Sequence, residues 1–140
     1  MTQFNGFDHV DVRVRSLRLC EPFYDRLLPA LGLVHKRFAF VDRNGEWCDV
    51  PDGATPNVVE FHEDTNGHRG RFVGIIEDAM MRPTQTRLAL RLSSHDELER
   101  WYARLPQIGA RAVERSSDMT AYPAIFFEDP CGTRWELCAR

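Results

Sequence analysis

The feature that most constrains this chain is an internal repeat. The segment from Asp8 to Val14 alternates polar and apolar residues, and the segment from Thr86 to Leu92 does the same. This period of two is typical of half-buried strands. Each segment is followed by a stretch with an aromatic pair, Phe23-Tyr24 in the first copy and Trp101-Tyr102 in the second. The repeat therefore predicts two copies of one strand–helix unit.

Local signals support the two helices. Ser94 and Glu97 fit the S-x-x-E capping box, in which each side chain accepts a hydrogen bond from an exposed N–H of the first turn. In the first copy, Leu19, Phe23 and Leu27 recur at helical spacing and predict an apolar face. Both units are therefore expected to carry a helix directly after their first strand.

Three strand candidates follow each helix, separated by turn signals such as Asn44-Gly45 and Asp129 to Gly132. They cover residues 38–42, 46–50 and 58–63 in the first half and 112–116, 124–128 and 133–138 in the second. The sequence thus predicts a single α+β domain over residues 1–140. It contains two tandem β-α-β-β-β units, at about 5–63 and 84–139, joined by a linker over 64–83.

Composition excludes several classes of function. The chain has 18 Lys plus Arg against 21 Asp plus Glu, a formal charge of −3, so no positive excess is available for a nucleic-acid backbone. Its apolar runs are far shorter than the ~20 residues that span a bilayer, and no basic segment followed by an apolar run marks the N-terminus. We expect a cytoplasmic protein without nucleic-acid or membrane partners. The four cysteines lack CxxC spacing and are interpreted as reduced structural thiols.

Polar side chains gather on one face of the predicted sheet, because alternate residues of a strand point the same way. The repeated first strands contribute His9, Asp11, Arg13, Arg87, Ala89 and Arg91, and the closing strands contribute Glu60, His62, Glu136 and Cys138. If the two units curl around a shared hollow, these side chains meet inside it. The remaining histidines, His35, His68 and His95, are expected at the surface.

With these residues the chain resembles the glyoxalase/bleomycin-resistance/extradiol-dioxygenase group, the vicinal oxygen chelate superfamily. The resemblance extends over nearly the whole chain and rests on three segments: Asp8-His9-Val10 in the first strand, Phe23-Tyr24 in the first helix, and Asp129 to Glu136 near the end. It implies a curved mixed sheet around a central cavity, a metal ligand early in each first strand and a carboxylate in each last strand. Carried onto this chain, the implied ligands of a divalent Fe, Mn, Ni, Co or Zn ion are His9, Glu60 and Glu136.

Arg87 occupies the fourth family position, where many members have His. A guanidinium has only donors and stays protonated, so it cannot coordinate a cation. Two interpretations remain. In one, the three ligands still bind a Lewis-acidic ion and Arg87 swings onto Asp11 or a substrate anion. In the other, Arg87 replaces the ion by pairing with Glu136 or Glu60, which leaves a metal-free pocket.

The preferred hypothesis is a small-molecule enzyme with lyase, isomerase or dioxygenase chemistry. In it Glu136 and Glu60 are catalytic, with Glu60 as third ligand or general base, while Arg87 and Arg91 orient an anionic substrate. Further pocket residues are Arg13, Asp11 and Tyr122, the last on a flap. The alternative is a metal-free protein that binds or sequesters a drug or metabolite. The resemblance and the exposed strand edges also predict a homodimer.

Overall fold

The computed structural model describes residues 1–66 and 70–140. This part of the chain contains two α-helices, α1 (Leu17–Leu27) and α2 (His95–Arg104), and nine strands. The strands are β1 (His9–Val14), β2 (His35–Val41), β3 (Trp47–Cys48), β4 (Val58–His62), β5 (Phe72–Glu77), β6 (Arg87–Arg91), β7 (Arg111–Arg115), β8 (Ala124–Glu128) and β9 (Arg134–Cys138). The predicted α+β class is confirmed. Neither helix in these two described ranges is long and apolar enough to cross a membrane.

The strands form two mixed sheets, with the order β1-β5-β4-β2-β3 in the first and β6-β9-β8-β7 in the second. In each sheet the first strand of the unit pairs in parallel with the last, β1 with β5 and β6 with β9. The remaining pairs are antiparallel. Apart from the two-residue strand β3, the two units therefore share one topology, as the repeat in the sequence predicts.

Strand β5 corrects the predicted boundary of the first unit. The prediction ended this unit near residue 63 and placed a linker over 64–83, but β5 lies inside that linker and closes the unit against β1. Ile75 and Ile76 are both buried, one on each side of the sheet, so β5 shows no clear period of two. Strand β4 is therefore the counterpart of β8, and its Glu60 is not the counterpart of Glu136.

Capping side chains fix where both helices begin. The Ser94 hydroxyl accepts from the N–H of Glu97 at 3.2 Å, as predicted, whereas the Glu97 carboxylate accepts from the N–H of Ser93 at 3.1 Å. The Ser16 hydroxyl caps α1 in the same way. The predicted apolar face of α1 needs one correction, because Leu19 is 54% exposed. The face that packs on the core instead carries Leu17, Cys20, Phe23, Tyr24 and Leu27.

The main core joins the helix-facing sides of the two sheets. Phe23 of α1 lies 6.3 Å from Phe127 of β8, measured between ring centres, and Tyr24 lies 6.1 Å from Trp135 of β9. Helix α1 of the first unit therefore packs directly on the sheet of the second. Each sheet presents its other side, its outer face, away from this core. The predicted site residues lie on these two outer faces.

Candidate functional site

The outer face of the first sheet carries a stack of three rings. Register pairs His9 with Phe72 and Phe72 with His62 across three neighbouring strands. The His9 and Phe72 rings are 4.6 Å apart at an angle of 5°, and the Phe72 and His62 rings are 4.6 Å apart at 22°. Phe72 therefore holds the two imidazoles parallel, one on each of its faces.

Each of the two imidazoles forms a hydrogen bond with a carboxylate. His9 Nδ1 lies 2.7 Å from Asp8 Oδ2, and His62 Nε2 lies 2.8 Å from Glu60 Oε2. The hydrogen bond that His9 donates to Asp8 raises the pKa of His9, with smaller contributions from the charges of Asp11 and Glu60. Glu60 is only 4% exposed, so its carboxylate depends on neighbouring protein groups such as His62 for hydrogen bonds.

Gly74 makes room for Asp11 between the strands. Register places Gly74 beside Asp11 on one side and Glu60 on the other. A Cβ atom at Gly74 would lie 2.6 Å from Asp11 Oδ1 and 3.7 Å from the Trp47 ring. The absence of a side chain at this position therefore lets the Asp11 carboxylate and the indole ring of Trp47 approach the sheet.

Two cavities open on this face. The first, of about 260 Å³, is lined by His9, Asp11, Trp47, Glu60 and Phe72. The second, of about 470 Å³, is lined by Asp8, Arg37, Glu60, His62, Glu63, Gly70 and Phe72. Glu60 and Phe72 line both cavities, so a small molecule in either one meets the stacked rings and the buried carboxylate.

The outer face of the second sheet carries a second group of predicted residues. Glu136 of β9 is 6% exposed and accepts a hydrogen bond from the Tyr122 hydroxyl, which raises the pKa of Tyr122. Beside it, the Arg87 guanidinium lies 4.3 Å from the centre of the Phe126 ring. Arg140 lies in the same way over Tyr122 at 5.0 Å. This face is therefore rich in arginine and aromatic side chains.

The predicted site residues are thus divided between two places. His9, Asp11 and Glu60 lie together on the first sheet, whereas Arg87, Glu136 and Tyr122 lie together on the second. Arg91 is exposed beside Cys138 on the second sheet. Arg13 lies farther along β1, with its Nη1 4.0 Å from Asp78 Oδ2.

Two residues of this face were not predicted from the sequence. Phe72 was missed because its segment shows no clear periodicity. For Trp47, no sequence pattern distinguished a pocket residue from a core residue. His35 and His95 are exposed, as expected, and His68 lies outside the described residues.

The family of this chain follows from its match to a family model. The model of the glyoxalase/bleomycin resistance protein/dioxygenase superfamily matches residues 6–137. The chain belongs to this superfamily. Comparison with curated proteins finds no match.

Solved structures of this superfamily share the fold. A glyoxalase/bleomycin resistance protein from Albidiferax ferrireducens superposes with a TM-score of 0.65 at 19% identity, covering 96% of this chain and 98% of that one. The fosfomycin resistance protein FosX from Listeria monocytogenes, solved as a mutant with Mn(II) and a dihydroxypropylphosphonic acid, gives 0.63 at 16% identity, with coverage of 97% and 90%. FosX from Mesorhizobium loti gives 0.62 at 16% identity, with coverage of 97% and 92%. At these identities the likeness concerns the fold alone.

A metal centre of the kind the resemblance implies does not fit the side chains of a single chain. The positions expected for ligands are His9 and Arg87 in the first strands, and by strand register Gly74 and Glu136 in the last strands. Only His9 and Glu136 of these four can coordinate a cation. Within residues 1–66 and 70–140, no three His, Cys, Asp or Glu side chains converge as a ligand set.

Proposed function

We propose that this chain is a small-molecule enzyme that binds an anionic substrate through Arg87 and Arg91. The placement of Arg87 carries the proposal. Its guanidinium lies over the Phe126 ring and forms no ion pair with any carboxylate in the described part of the chain. A guanidinium over the face of an aromatic ring keeps the N–H donors that point away from the ring available for a carboxylate, phosphate or phosphonate group. The substrate class is therefore a small oxyanion-bearing molecule.

The first sheet supplies acid–base chemistry for this substrate. A buried carboxylate beside an imidazole stabilises the imidazolium that forms when the ring accepts a proton. We assign His62 as the general base, oriented by Glu60, on the strength of their 2.8 Å contact. His9, whose pKa is raised by Asp8, is the matching proton donor. Removal and return of a proton is the common step of isomerase and lyase reactions.

Glu136 and Tyr122 form a second proton-transfer pair beside Arg87. The Tyr122 hydroxyl donates to Glu136, so the pair holds a proton on Tyr122 next to the proposed anion site. In this assignment Glu136 and Glu60 act at opposite ends of one substrate. Both roles require the two sheet faces to lie against the same molecule.

A homodimer brings the two faces together. The face of the first sheet carries the carboxylates of Asp8, Asp11, Glu60 and Glu63 beside Arg37, and the face of the second carries Arg87, Arg91, Arg134 and Arg140 beside Glu128 and Glu136. Carboxylates of the first face can pair with guanidinium groups of the second face on another copy. We expect light scattering at micromolar concentration to give twice 16.2 kDa. A single species of 16.2 kDa would contradict this part of the proposal. We also expect the dimer to act in the cytoplasm.

Anion binding can be tested by calorimetry on protein dialysed against a chelator. We expect methylphosphonate and acetate to bind saturably, and Arg87→Met to weaken that binding about tenfold or more, since a charge-assisted contact contributes about 1.5–3 kcal/mol. Arg91→Met should weaken it less. The control is Arg43→Met, at an exposed turn. Equal affinity in the wild type and Arg87→Met would remove the basis of the proposal.

A metal-dependent enzyme is the second candidate. It is favoured by the 260 Å³ cavity, whose lining includes His9, Asp11 and Glu60 and to which a partner copy would add Glu136 to complete a ligand set. Elemental analysis of the purified protein tests it, together with titration of Mn, Fe, Co, Ni and Zn. Stoichiometric metal that is lost in Glu136→Gln supports this candidate. Binding that appears only in Arg87→His supports the metal-free proposal.

A binding protein that sequesters its ligand is the remaining alternative. It shares the anion site at Arg87 but predicts no chemical change of the bound molecule. Saturable binding without turnover of any bound oxyanion, unchanged in His62→Gln, would favour sequestration over catalysis.

A further inference from the structure

Two buried thiols meet where the two units join. Cys20 lies on α1 of the first unit, and Cys131 lies in the turn between β8 and β9 of the second. Their Sγ atoms are 2.8 Å apart, and the residues are 0% and 1% exposed. A disulfide bond has a length of about 2.05 Å, so the two sulfur atoms need to approach by less than about 1 Å to form one.

A buried hydrogen-bond network holds the two cysteines in this position. The Asp129 carboxylate accepts from the N–H of Cys131 at 2.8 Å and from the hydroxyl of Tyr24 at 2.6 Å. Tyr24 lies one turn after Cys20 on α1, and its hydroxyl also accepts from Nε1 of Trp135 at 3.0 Å. The helix and the turn are thereby fixed to each other one helical turn away from Cys20.

We propose that Cys20 and Cys131 are an oxidation site, at which a small-molecule disulfide such as glutathione disulfide converts the two thiols into an intramolecular disulfide. One cysteine thiolate attacks a sulfur of glutathione disulfide and releases a glutathione thiolate. The second cysteine thiolate then attacks the protein sulfur of the mixed disulfide and releases the second glutathione. Two thiols lose two electrons and two protons, and one glutathione disulfide becomes two glutathiones.

Two consequences follow from the location of the bond. Burial raises the pKa of the Cys20 thiol, so the closed protein reacts slowly and the bond forms fastest during folding or local opening. The bond joins residues 111 positions apart, and closing so long a loop restricts the unfolded chain strongly. Oxidation therefore locks the first unit to the second.

The test uses the full chain with Cys48→Ser, because Cys48 is exposed and could link two chains. This protein is refolded from guanidinium in a glutathione redox buffer, blocked with N-ethylmaleimide and digested with trypsin without reductant. Cys20, Cys131 and Cys138 fall in the separate tryptic peptides 19–26, 116–134 and 135–140. We expect peptides 19–26 and 116–134 to be recovered as one cross-linked species. Thermal unfolding should then occur about 10 °C higher than after reduction.

Matched variants separate the proposal from other outcomes. Adding Cys138→Ser to Cys48→Ser should leave the cross-link and the thermal shift unchanged, whereas adding Cys131→Ser should abolish both. Recovery of peptides 19–26 and 116–134 as separate maleimide adducts after refolding in the oxidising buffer would overturn the proposal. A link between Cys20 and Cys138 would overturn it as well. The primary measurement needs no substitution at Cys20 or Cys131, so a folding defect in those variants does not affect it.

Discussion

The hydroxyl of Tyr122 donates a hydrogen bond to Oε1 of Glu136, a carboxylate that is only 6% exposed on the outer face of the second sheet. Tyr122 comes from the loop before β8, and Glu136 from the middle of β9. The side chain of the loop residue is therefore anchored on the strand, next to the backbone hydrogen bond from the N–H of Ala139 to the carbonyl of Pro123. The contact between Tyr122 and Glu136 places a phenol and a carboxylate next to Arg87, which lies at a position where the resemblance implies a metal ligand.

Tyr122→Phe should remove this donor while keeping the ring. Because a nearly buried carboxylate then loses a partner, we expect the free energy of unfolding to fall by about 1–3 kcal/mol. Urea denaturation followed by circular dichroism measures this loss. Tyr102→Phe on α2 is the control, since no hydrogen bond of its hydroxyl is described and it should change stability little. Equal effects of the two substitutions would argue against the contact.

Asp8→Asn should lower the pKa of His9, since the hydrogen bond that His9 donates to the Asp8 carboxylate is the largest cause of its elevation above 6.5. NMR titration of the His9 ring measures the change, with the exposed His95 as an internal reference. A group whose pKa is raised by folding stabilises the protein below its unfolded pKa and loses that contribution as pH rises through the folded pKa. The stability difference between wild type and Asp8→Asn should therefore be largest in acid and shrink above the folded pKa. It should be small throughout, since His9 is exposed to solvent.

Gly74→Ala should displace the Asp11 carboxylate, because the added Cβ would lie 2.6 Å from Asp11 Oδ1. The contact between His9 Nε2 and Asp11 Oδ2, which now lie 3.8 Å apart, is then lost. We expect the pKa of His9 to decrease, since the charge of Asp11 contributes to its elevation. Stability should change by only about 1 kcal/mol or less, because the end of a side chain can move. An unchanged His9 titration would show that Asp11 keeps its place.

Asp129→Ala should destabilise the protein far more than Asp118→Ala. Asp129 is fully buried and accepts from the hydroxyl of Tyr24 and from two backbone N–H groups, those of Cys131 and Thr133. Leaving these donors without an acceptor should cost about 3 kcal/mol or more. The carboxylate of Asp118 also accepts from two backbone N–H groups, but it is exposed to solvent, so its loss should cost about 1 kcal/mol or less. Chemical denaturation of both variants tests the ranking.

Much of the candidate site could be predicted from the sequence at the level of single strands. The alternation in β1 and β6 assigned His9, Asp11, Arg87 and Arg91 to outer faces, because the direction of a side chain along a strand is a local property. The same reasoning could not find Phe72. Its importance comes from its neighbours His9 and His62, which belong to different strands and become adjacent only through sheet register.

The sequence by itself determined the repeat, the α+β class, the capped start of α2 and the polar outer faces, since each depends on residues within a few positions of one another. Only the tertiary structure decided which strand closes the first unit. Because β5 pairs in parallel with β1, as β9 pairs with β6, the residue that corresponds to Glu136 is Gly74 and not Glu60. The strand pairing also divided the predicted site between two sheets. Pairing between distant strands depends on contacts between residues far apart in the sequence, which no local pattern specifies.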